Sequence, residues 1–415
     1  LKAANEQTEG TYAGNVSITL SNSNIVADAM NISATATTNA AEAAITISNS
    51  TLKAELNGSA LSICATSESG NARVDIQNSR LNGEEGVNGV EVSAVATKGN
   101  AAVTGMVNYL NFNNQVITDI KDSTLTVTAE KGIFKALSEG TRTFTDGFGN
   151  LSVSGGKPGA SVGGALSFIY VGGNGSDDTN QTQMLVSNSF INNSGTTELL
   201  ANSGTTGLLA GANASAKIGG SGLSFTGSFA WISDASITRV DIHDTFFNQR
   251  NALNDKNANI KAEATSSSSL TAGIGSLSVQ IGGKGAGIGV SIAVLKDNAT
   301  TAATMHGGGV ESAHDFTLHA SGRADLAGLV IGGAGSDLVG VSGGALASSI
   351  IHHVTADLEE SVMYMNGALT IKADNTTNVG RDAKTRFTVA NAALGLEGAG
   401  IGVGVSIIDI ADVVT

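Results

Sequence analysis

The chain has 415 residues, of which 54 are glycine, one is proline and one is cysteine, and its formal net charge is −14. This composition excludes collagen, because the glycines have no period of three, and an internal disulfide, because one cysteine cannot form one. The negative charge argues against a nucleic-acid partner and against an anionic membrane surface, since both require clustered lysine and arginine.

The first recurring pattern along the chain is an alternating strand that ends in Asn-Ser, Asp-Ser or an equivalent pair. Alternation of apolar and polar residues predicts a half-buried strand, and the Asn or Asp predicts a corner with left-handed backbone. The corner hydroxyls are Ser23, Ser50, Ser79, Ser123, Ser189, Thr245 and Ser361. Their successive gaps are 27, 29, 44, 66, 56 and 116, and a degenerate copy near 305–310 divides the last gap into 63 and 53.

Two further patterns follow each corner in constant order. One is a short strand that runs into alanine, as at 125–130, 258–266, 316–322 and 369–375. The other is a glycine-rich pair of strands that begins near 155, 219, 282, 332 and 396. In GAGIGVGVSI (398–407) glycine alternates with aliphatic residues, which predicts either a closely approaching second layer of backbone or a flat outer face.

The three patterns keep a constant order while the number of residues per repeat varies. This combination predicts an all-β, elongated, parallel β-solenoid with irregular repeat lengths. We expect one continuous solenoid over 1–415, with short repeats in 1–100 and longer glycine-rich repeats in 101–415. Coils of roughly 20–25 residues predict about 17–20 coils and a rod about 80–100 Å long, in which the longer gaps hold two or three turns.

One long apolar stretch raises the question of a membrane span. Residues 326–351 contain a single charge, Asp337, and are long enough for a spanning helix. Their many glycines predict strands instead, so no membrane span is expected. We expect loop excursions in 130–160, 192–220 and 246–260, and segment 140–150 is the predicted contact segment because it carries aromatic residues and an arginine.

A calcium site is the one metal site that the sequence suggests. GGAGSDLVG (332–340) fits the calcium-binding nonapeptide, and GGNGSDDTN (172–180) fits it apart from Thr179, which makes Asp177, Asp178 and Asp337 candidate ligands. Calcium β-rolls require tandem copies, and these two copies lie about 160 residues apart. The preferred interpretation is that these aspartates are solvated turn residues and that the chain holds no cofactor.

Catalytic motifs are weak. The histidines, which lack the spacing of a zinc protease, are expected at the surface or at corners; they are His243, His306, His314, His319, His352 and His353. Acidic pairs at Glu84–Glu85, Asp177–Asp178 and Glu359–Glu360 are the candidates for a polysaccharide-active site, although solvated bends are the simpler interpretation. The glycine runs lack the Gly-Lys-Ser/Thr and helix of a phosphate loop.

The repeats resemble those of leukotoxin-like filamentous adhesins of anaerobic Gram-negative bacteria, within the filamentous-haemagglutinin-like group. The resemblance is carried by residues 285–304 and 406–415 and by the LTIKADN type of strand (369–375). It covers the chain from about residue 100, and residues 1–100 match it through their Asn-Ser corners. It implies a right-handed parallel β-helix, type V secretion, and a role in attachment or in a biofilm matrix, with no catalytic residues.

The function expected is therefore a structural or adhesive shaft of a secreted or cell-surface protein, of which this chain is an internal fragment or a processed piece. Its expected partners are a host or neighbouring-cell surface, or other copies of itself in a filament. A polysaccharide-active β-helix enzyme is the alternative. Self-assembly through open coil ends is a third hypothesis, because no polar cap is evident at Thr415.

Overall fold

The computed structural model describes residues 2–5, 15–27, 30–36, 43–54, 61–67, 72–77, 80–83, 90–96, 101–112, 115–122, 124–127, 131–137, 142–155, 159–172, 181–193, 195–249, 258–379 and 386–415. These residues form strands in parallel sheets and contain no helix. The all-β, parallel prediction is confirmed, and the arrangement is consistent with a parallel β-helix.

Two sheets extend from one end of the stack to the other. Sheet A contains β1 (Lys2–Asn5), β4 (Met30–Ala36), β7 (Leu61–Ser67), β10 (Val90–Ala96), β14 (Lys131–Leu137), β15 (Arg142–Gly155), β19 (Thr196–Ile218), β22 (Ile260–Ile281), β25 (Phe316–Ser336), β29 (Leu369–Val379) and β30 (Phe387–Gly395). Sheet B contains β2 (Val16–Ser21), β5 (Ala43–Ser48), β8 (Ala72–Gln77), β11 (Ala101–Phe112), β16 (Gly159–Val171), β20 (Gly222–Asp234), β23 (Gly285–Asp297), β26 (Val339–Ile350) and β31 (Ala399–Ile410).

The third side of the stack consists of two sheets in succession. Sheet C contains β3 (Asn24–Ala27), β6 (Thr51–Ala54) and β9 (Arg80–Gly83). Sheet D contains β12 (Gln115–Lys121), β13 (Thr124–Val127), β17 (Gln181–Ser187), β18 (Phe190–Asn193), β21 (Ile237–Phe247), β24 (Thr300–Ala313), β27 (His353–Glu359), β28 (Val362–Met365) and β32 (Val413–Val414). Each coil therefore runs through sheet A, then B, then C or D.

The size of the coil doubles along the chain. In the early part of sheet B, Ile18 pairs with Ile45 and Ile45 pairs with Val74. From β11 onward, partners in sheet B lie about twice as far apart along the chain, as in the pairing of Gly222 with Gly285. The coil length predicted from the sequence is therefore wrong, and each of the longer gaps holds one large coil rather than two or three turns.

The number of coils is correspondingly smaller than predicted. Sheet B contains nine strands in the described part of the chain, against about 17–20 predicted coils. At about 4.8 Å between neighbouring strands, nine strands give a stack of about 40 Å. The number of coils was overestimated because the added residues lengthen each coil. Strands β12, β13 and β14 follow β11 and widen the stack without adding turns.

The corner prediction is confirmed. The residue before each described corner hydroxyl has positive φ, as in Asn22 (48°), Asn188 (48°) and Asp244 (43°). The hydroxyl then donates to the carbonyl oxygen two residues earlier, at 2.7 Å for Ser189 and 2.8 Å for Thr245. The corners also stack, since Thr245 pairs with Gly308 and Gly309 with Val362, at the offsets of 63 and 53 that the degenerate copy predicts.

The large coils contribute to two hydrophobic clusters that run along the stack, because their long strands in sheet A cross two lobes. Leu199 in the first half of β19 belongs to a cluster with Ile242 of sheet D. Leu209 in the second half belongs to a cluster with Ile232 of sheet B. We call the part between sheet B and the second half of the sheet A strands the thin lobe; its sheet A residues are 207–218, 270–281, 328–336 and 387–395.

The apolar stretch 326–351 lies in β25 and β26. Among the described residues, no helix of sufficient length and apolarity to cross a membrane is found.

Candidate functional site

The two sheets of the thin lobe pack backbone against backbone. A Cβ atom added to Gly289 in sheet B would lie 2.2 Å from the carbonyl oxygen of Gly333 in sheet A. One added to Gly287 would lie 2.7 Å from the carbonyl oxygen of Gly335. The alternating glycines therefore point inward and allow a second layer of backbone to approach closely, which was the first of the two alternatives.

Toward its glycine-rich edge, the interior of the thin lobe is polar as well as narrow. The Oγ atoms of Ser215 and Ser224 lie 2.6 Å apart, and Ser278 in the next coil donates to the carbonyl oxygen of Ser224 at 2.6 Å. One coil earlier, Ser152 and Ser161 form the same pair at 2.9 Å. These serines are buried, so the hydrogen bonds remove the cost of placing hydroxyls away from water.

The outer surface of sheet B is apolar where the interior is polar. We call apolar face the alternate, outward-pointing residues of five strands, within 160–168, 223–231, 286–294, 339–347 and 399–407. Each of these positions is Ala, Gly, Val, Ile, Leu, Phe or Trp. Phe225 is 41% exposed, Leu166 43% and Ile401 51%.

The early coils of the same sheet have the ordinary arrangement. In β5 the inward residues are Ile45 and Ile47, and the outward residues include Thr46 and Ser48. The apolar face is thus a property of the large coils and not of sheet B as a whole. The face was not predicted from the sequence, because alternation defines two sides of a strand without stating which side is inside. The alternating glycines were the signal. Glycines that let a second layer of backbone approach must point inward, so the aliphatic residues between them must point outward.

The edge of the thin lobe is closed by glycine turns. Gly219, Gly220 and Gly282 have φ values of 75°, 71° and 83°, a left-handed backbone that favours glycine. The buried ammonium of Lys217 donates to the carbonyl oxygen of Gly219 at 2.7 Å, and burial lowers the pKa of this lysine. In the next coil Gln280 takes the register position of Lys217.

Asp337, a predicted calcium ligand, belongs to the same stack of turns. Its Oδ2 accepts hydrogen bonds from the backbone N–H groups of Gly282 at 2.8 Å and Gly283 at 2.9 Å, one coil earlier. The other two candidates, Asp177 and Asp178, lie outside the described residues. Within the described part of the chain no group of three or more His, Cys, Asp or Glu residues is placed to hold a metal ion. The calcium site stays a prediction.

Charged side chains form ladders on the opposite, wider lobe. His319 lies between Glu263 at 3.1 Å and Asp374 at 2.9 Å, residues contributed by the coil on either side. Lys372 also pairs with Asp374 at 2.6 Å. The hydrogen bond from Lys372, and then that from His319, hold the pKa of Asp374 below its usual value. The ladder therefore joins three coils by side-chain hydrogen bonds through His319.

The acidic pair Glu359–Glu360 lies at a corner of sheet D. His306 approaches Glu359 at 3.4 Å and Glu360 at 3.6 Å, and its ring lies 5.7 Å from that of His243 one coil earlier. Both glutamates are exposed. The pair Glu84–Glu85 lies outside the described residues.

A buried polar seam runs through the junction of sheets A, B and D. His352 is fully buried, although a surface or corner position was expected; it lies at the corner but points inward. Its Nε2 lies 3.2 Å from Ser266 Oγ and 3.1 Å from Thr301 Oγ1, and burial lowers its pKa. Asp297 is also fully buried, and burial, reinforced by the carboxylate of Asp234, raises its pKa well above the usual value.

The loop excursions predicted in 130–160 and 192–220 are wrong for most of the residues that the structure describes there. Residues 131–137 and 142–155 are strands β14 and β15, and most of 192–220 is the single strand β19. The described part of the contact segment, 142–150, pairs with β19 inside sheet A. In 246–260, residues 250–257 lie outside the described residues. In the described residues of 130–160 and 192–220, most of the added length lies in wider sheets.

The chain matches no known protein family, no curated protein and no solved structure.

Proposed function

We propose that the chain is a structural and adhesive β-solenoid of a bacterial cell surface or extracellular matrix. One observation carries the proposal: sheets A and B continue in parallel register through all nine described coils. Backbone hydrogen bonds, corner hydroxyls and side-chain ladders all connect one coil to the next. A chain organised in this way presents long continuous faces, which suits attachment to an extended surface.

Composition supports an extracellular location for this shaft. The net charge of −14 favours solubility outside the cell, and the single cysteine leaves the stack independent of the redox state of its surroundings. The proposed partner is a host or neighbouring-cell surface.

Retention under flow tests the adhesive role. Beads coated with the chain are passed over epithelial cells and over isolated matrix, and beads coated with a scrambled chain of the same composition serve as the control. We expect retention of the folded chain alone, because binding requires the ordered faces. Equal retention of both kinds of bead would contradict the proposal.

A polysaccharide-active enzyme remains the second candidate, favoured by the ladder of Glu263, His319 and Asp374. Carboxylates with a nearby imidazole on neighbouring coils are the groups that acid–base cleavage of a sugar chain requires. The assay is release of reducing ends or of unsaturated uronates from acidic and neutral polysaccharides. If turnover is found, Glu263→Gln should abolish it, whereas Glu359→Gln, at the exposed corner, should not.

A further inference from the structure

The apolar face is larger than the apolar patches that soluble monomers expose. Each of its five strands spans nine residues there and contributes five outward residues. The face therefore extends about 30 Å along the strands and about 24 Å across them, or about 700 Å². The largest apolar patch of a typical monomer is about 300–600 Å². A stable interface between two proteins buries about 800 Å² on each partner, so the face has the size of one complete interface.

The distribution of charge restricts what can cover this face. The chain carries a formal charge of −14, so two copies repel each other over most of their surfaces. The apolar face itself contains no charged residue, and the nearest charges of these strands, Lys296 and Asp409, lie one column beyond its edge. Two copies can therefore meet here without removing any charge from water.

Aromatic residues of the kind that contribute most to binding lie in the face beside its polar edge. Phe168 and Phe229 pack with ring centroids 5.5 Å apart, and Trp231 stands in register with Phe168 on the next strand. Large aromatic residues are enriched among the residues that dominate binding energy at interfaces, and polar groups form the rim. Tyr170, Ser233 and Lys296 form such a polar column along one side.

We propose that a second copy of this chain covers the apolar face, with sheet B of one copy packed on sheet B of the other. Two flat sheets pack in this way at a distance of about 10 Å, with their inner side chains interdigitated. The contact is lateral, so it leaves the open ends of the coils free. It is also independent of the proposed adhesive role, because it requires no other partner.

Sedimentation equilibrium over a concentration series tests the proposal. We expect twice the monomer mass for the unmodified chain. Ile292→Lys places a charge on the middle strand of the face and should weaken association at least about 30-fold. Ser269→Lys is the matched control: Ser269 also points outward from a central strand, but it lies outside the face and beside Asp325. It should associate like the unmodified chain.

The single tryptophan provides a readout that does not depend on any variant. Trp231 lies in the face, so dilution should shift its emission to longer wavelength and increase its quenching by acrylamide. A monomer at all concentrations, or association unchanged by Ile292→Lys in a variant with native circular dichroism, would overturn the proposal. So would binding of the monomer to phosphatidylcholine vesicles that Ile292→Lys abolishes, since a lipid surface would then be the occupant.

Discussion

The fold controls the charge of Asp297 more strongly than that of an exposed carboxyl group. The residue is fully buried, its Oδ1 accepts the N–H of Ala299 at 3.0 Å, and its Oδ2 has no hydrogen-bond partner among the described residues. Asp234 occupies the same register position one coil earlier and is also buried. Two stacked buried carboxylates cannot both ionise without a large electrostatic cost, so the fold favours a protonated Asp297.

This leads to a prediction about pH. Because the pKa of Asp297 is raised on folding, the folded state binds its proton more tightly than the unfolded state. Stability is therefore lost as the pH rises above the unfolded pKa of an aspartate, about 4. Asp297→Asn keeps the acceptor for Ala299 and removes the charge, so we expect a melting temperature about 2–4 °C higher at pH 7 and a smaller change near pH 4.

Thermal unfolding of both chains between pH 4 and 8 measures this effect. The matched control is Asp241→Asn, because Asp241 lies on the outward side of sheet D and pairs with His243. A control that gains as much stability as Asp297→Asn would show that general charge reduction, and not burial, is responsible.

A second residue-scale prediction concerns Asp337. Its carboxylate holds the turn at Gly282 and Gly283, so Asp337→Ala should cost about 1–3 kcal/mol, whereas Asp337→Asn retains an acceptor and should cost less. Since these bonds are made to backbone N–H groups, we expect no dependence on calcium. The free energy of unfolding, measured with calcium and with a chelator, distinguishes a carboxylate that only holds the turn from a calcium ligand. Stabilisation by calcium that Asp337→Ala abolishes would support the metal site instead.

At the scale of the element, the thin lobe depends on which glycines point inward. Gly289 and Gly273 lie in neighbouring strands of the two facing sheets, and only Gly289 points into the space between them. A Cβ on Gly273 meets nothing within 4 Å, whereas one on Gly289 collides with the carbonyl oxygen of Gly333. The same substitution therefore has opposite consequences at the two positions.

We predict that Gly289→Ala destabilises the chain by about 1–3 kcal/mol, because the facing backbone has to move. Gly273→Ala should be neutral or stabilising by up to about 1 kcal/mol, since alanine loses less conformational freedom than glycine in a strand. Midpoints of denaturant unfolding give both values. Equal loss at both sites would mean that the sheets are not held at backbone contact.

The strand pattern and the register were predictable at this scale, and the width of the coil was not. Corner residues such as Asn188 and Asp244 need a left-handed backbone, so they mark positions that must stack, and their spacing equals the register offset. The length of a coil depends on where the strands between corners bend. β22 runs straight from Ile260 to Ile281 through four consecutive serines that suggest a loop, because sheet packing overrides the local preference.

The charged ladder was only partly predictable, for a similar reason. The histidines and glutamates were visible in the sequence, but Glu263, His319 and Asp374 come from three different strands that are far apart along the chain. Only the coil offset brings them together. An incorrect coil length therefore hid a cluster of acid–base groups that links three coils.

The whole molecule behaves as a set of interchangeable layers, which predicts that a complete coil can be removed. Deletion of residues 237–299 removes one register period and joins Ser236 to Thr300, the register partner of the removed Ile237. We expect native-like circular dichroism and a melting temperature within about 5 °C of the full chain, because each coil contacts mainly its neighbours.

The control is a deletion of half a period, residues 237–267, which joins sheet B to the middle of a sheet A strand. It should fold poorly, because every later strand loses its register. If both deletions are tolerated equally, stacking in register is not what stabilises the chain.

The pairing of each strand with adjacent coils also bears on the order in which the chain can fold. A coil completed at one end offers an open edge to the residues that follow it, so each new turn can form on a finished template without waiting for distant segments. The loops closed in this process are at most about 66 residues long, however many coils are added. When the chain folds by addition at one edge, each new strand pairs with a strand that is at most one coil away in sequence. A chain that emerges from a pore end first would be able to fold as it emerges.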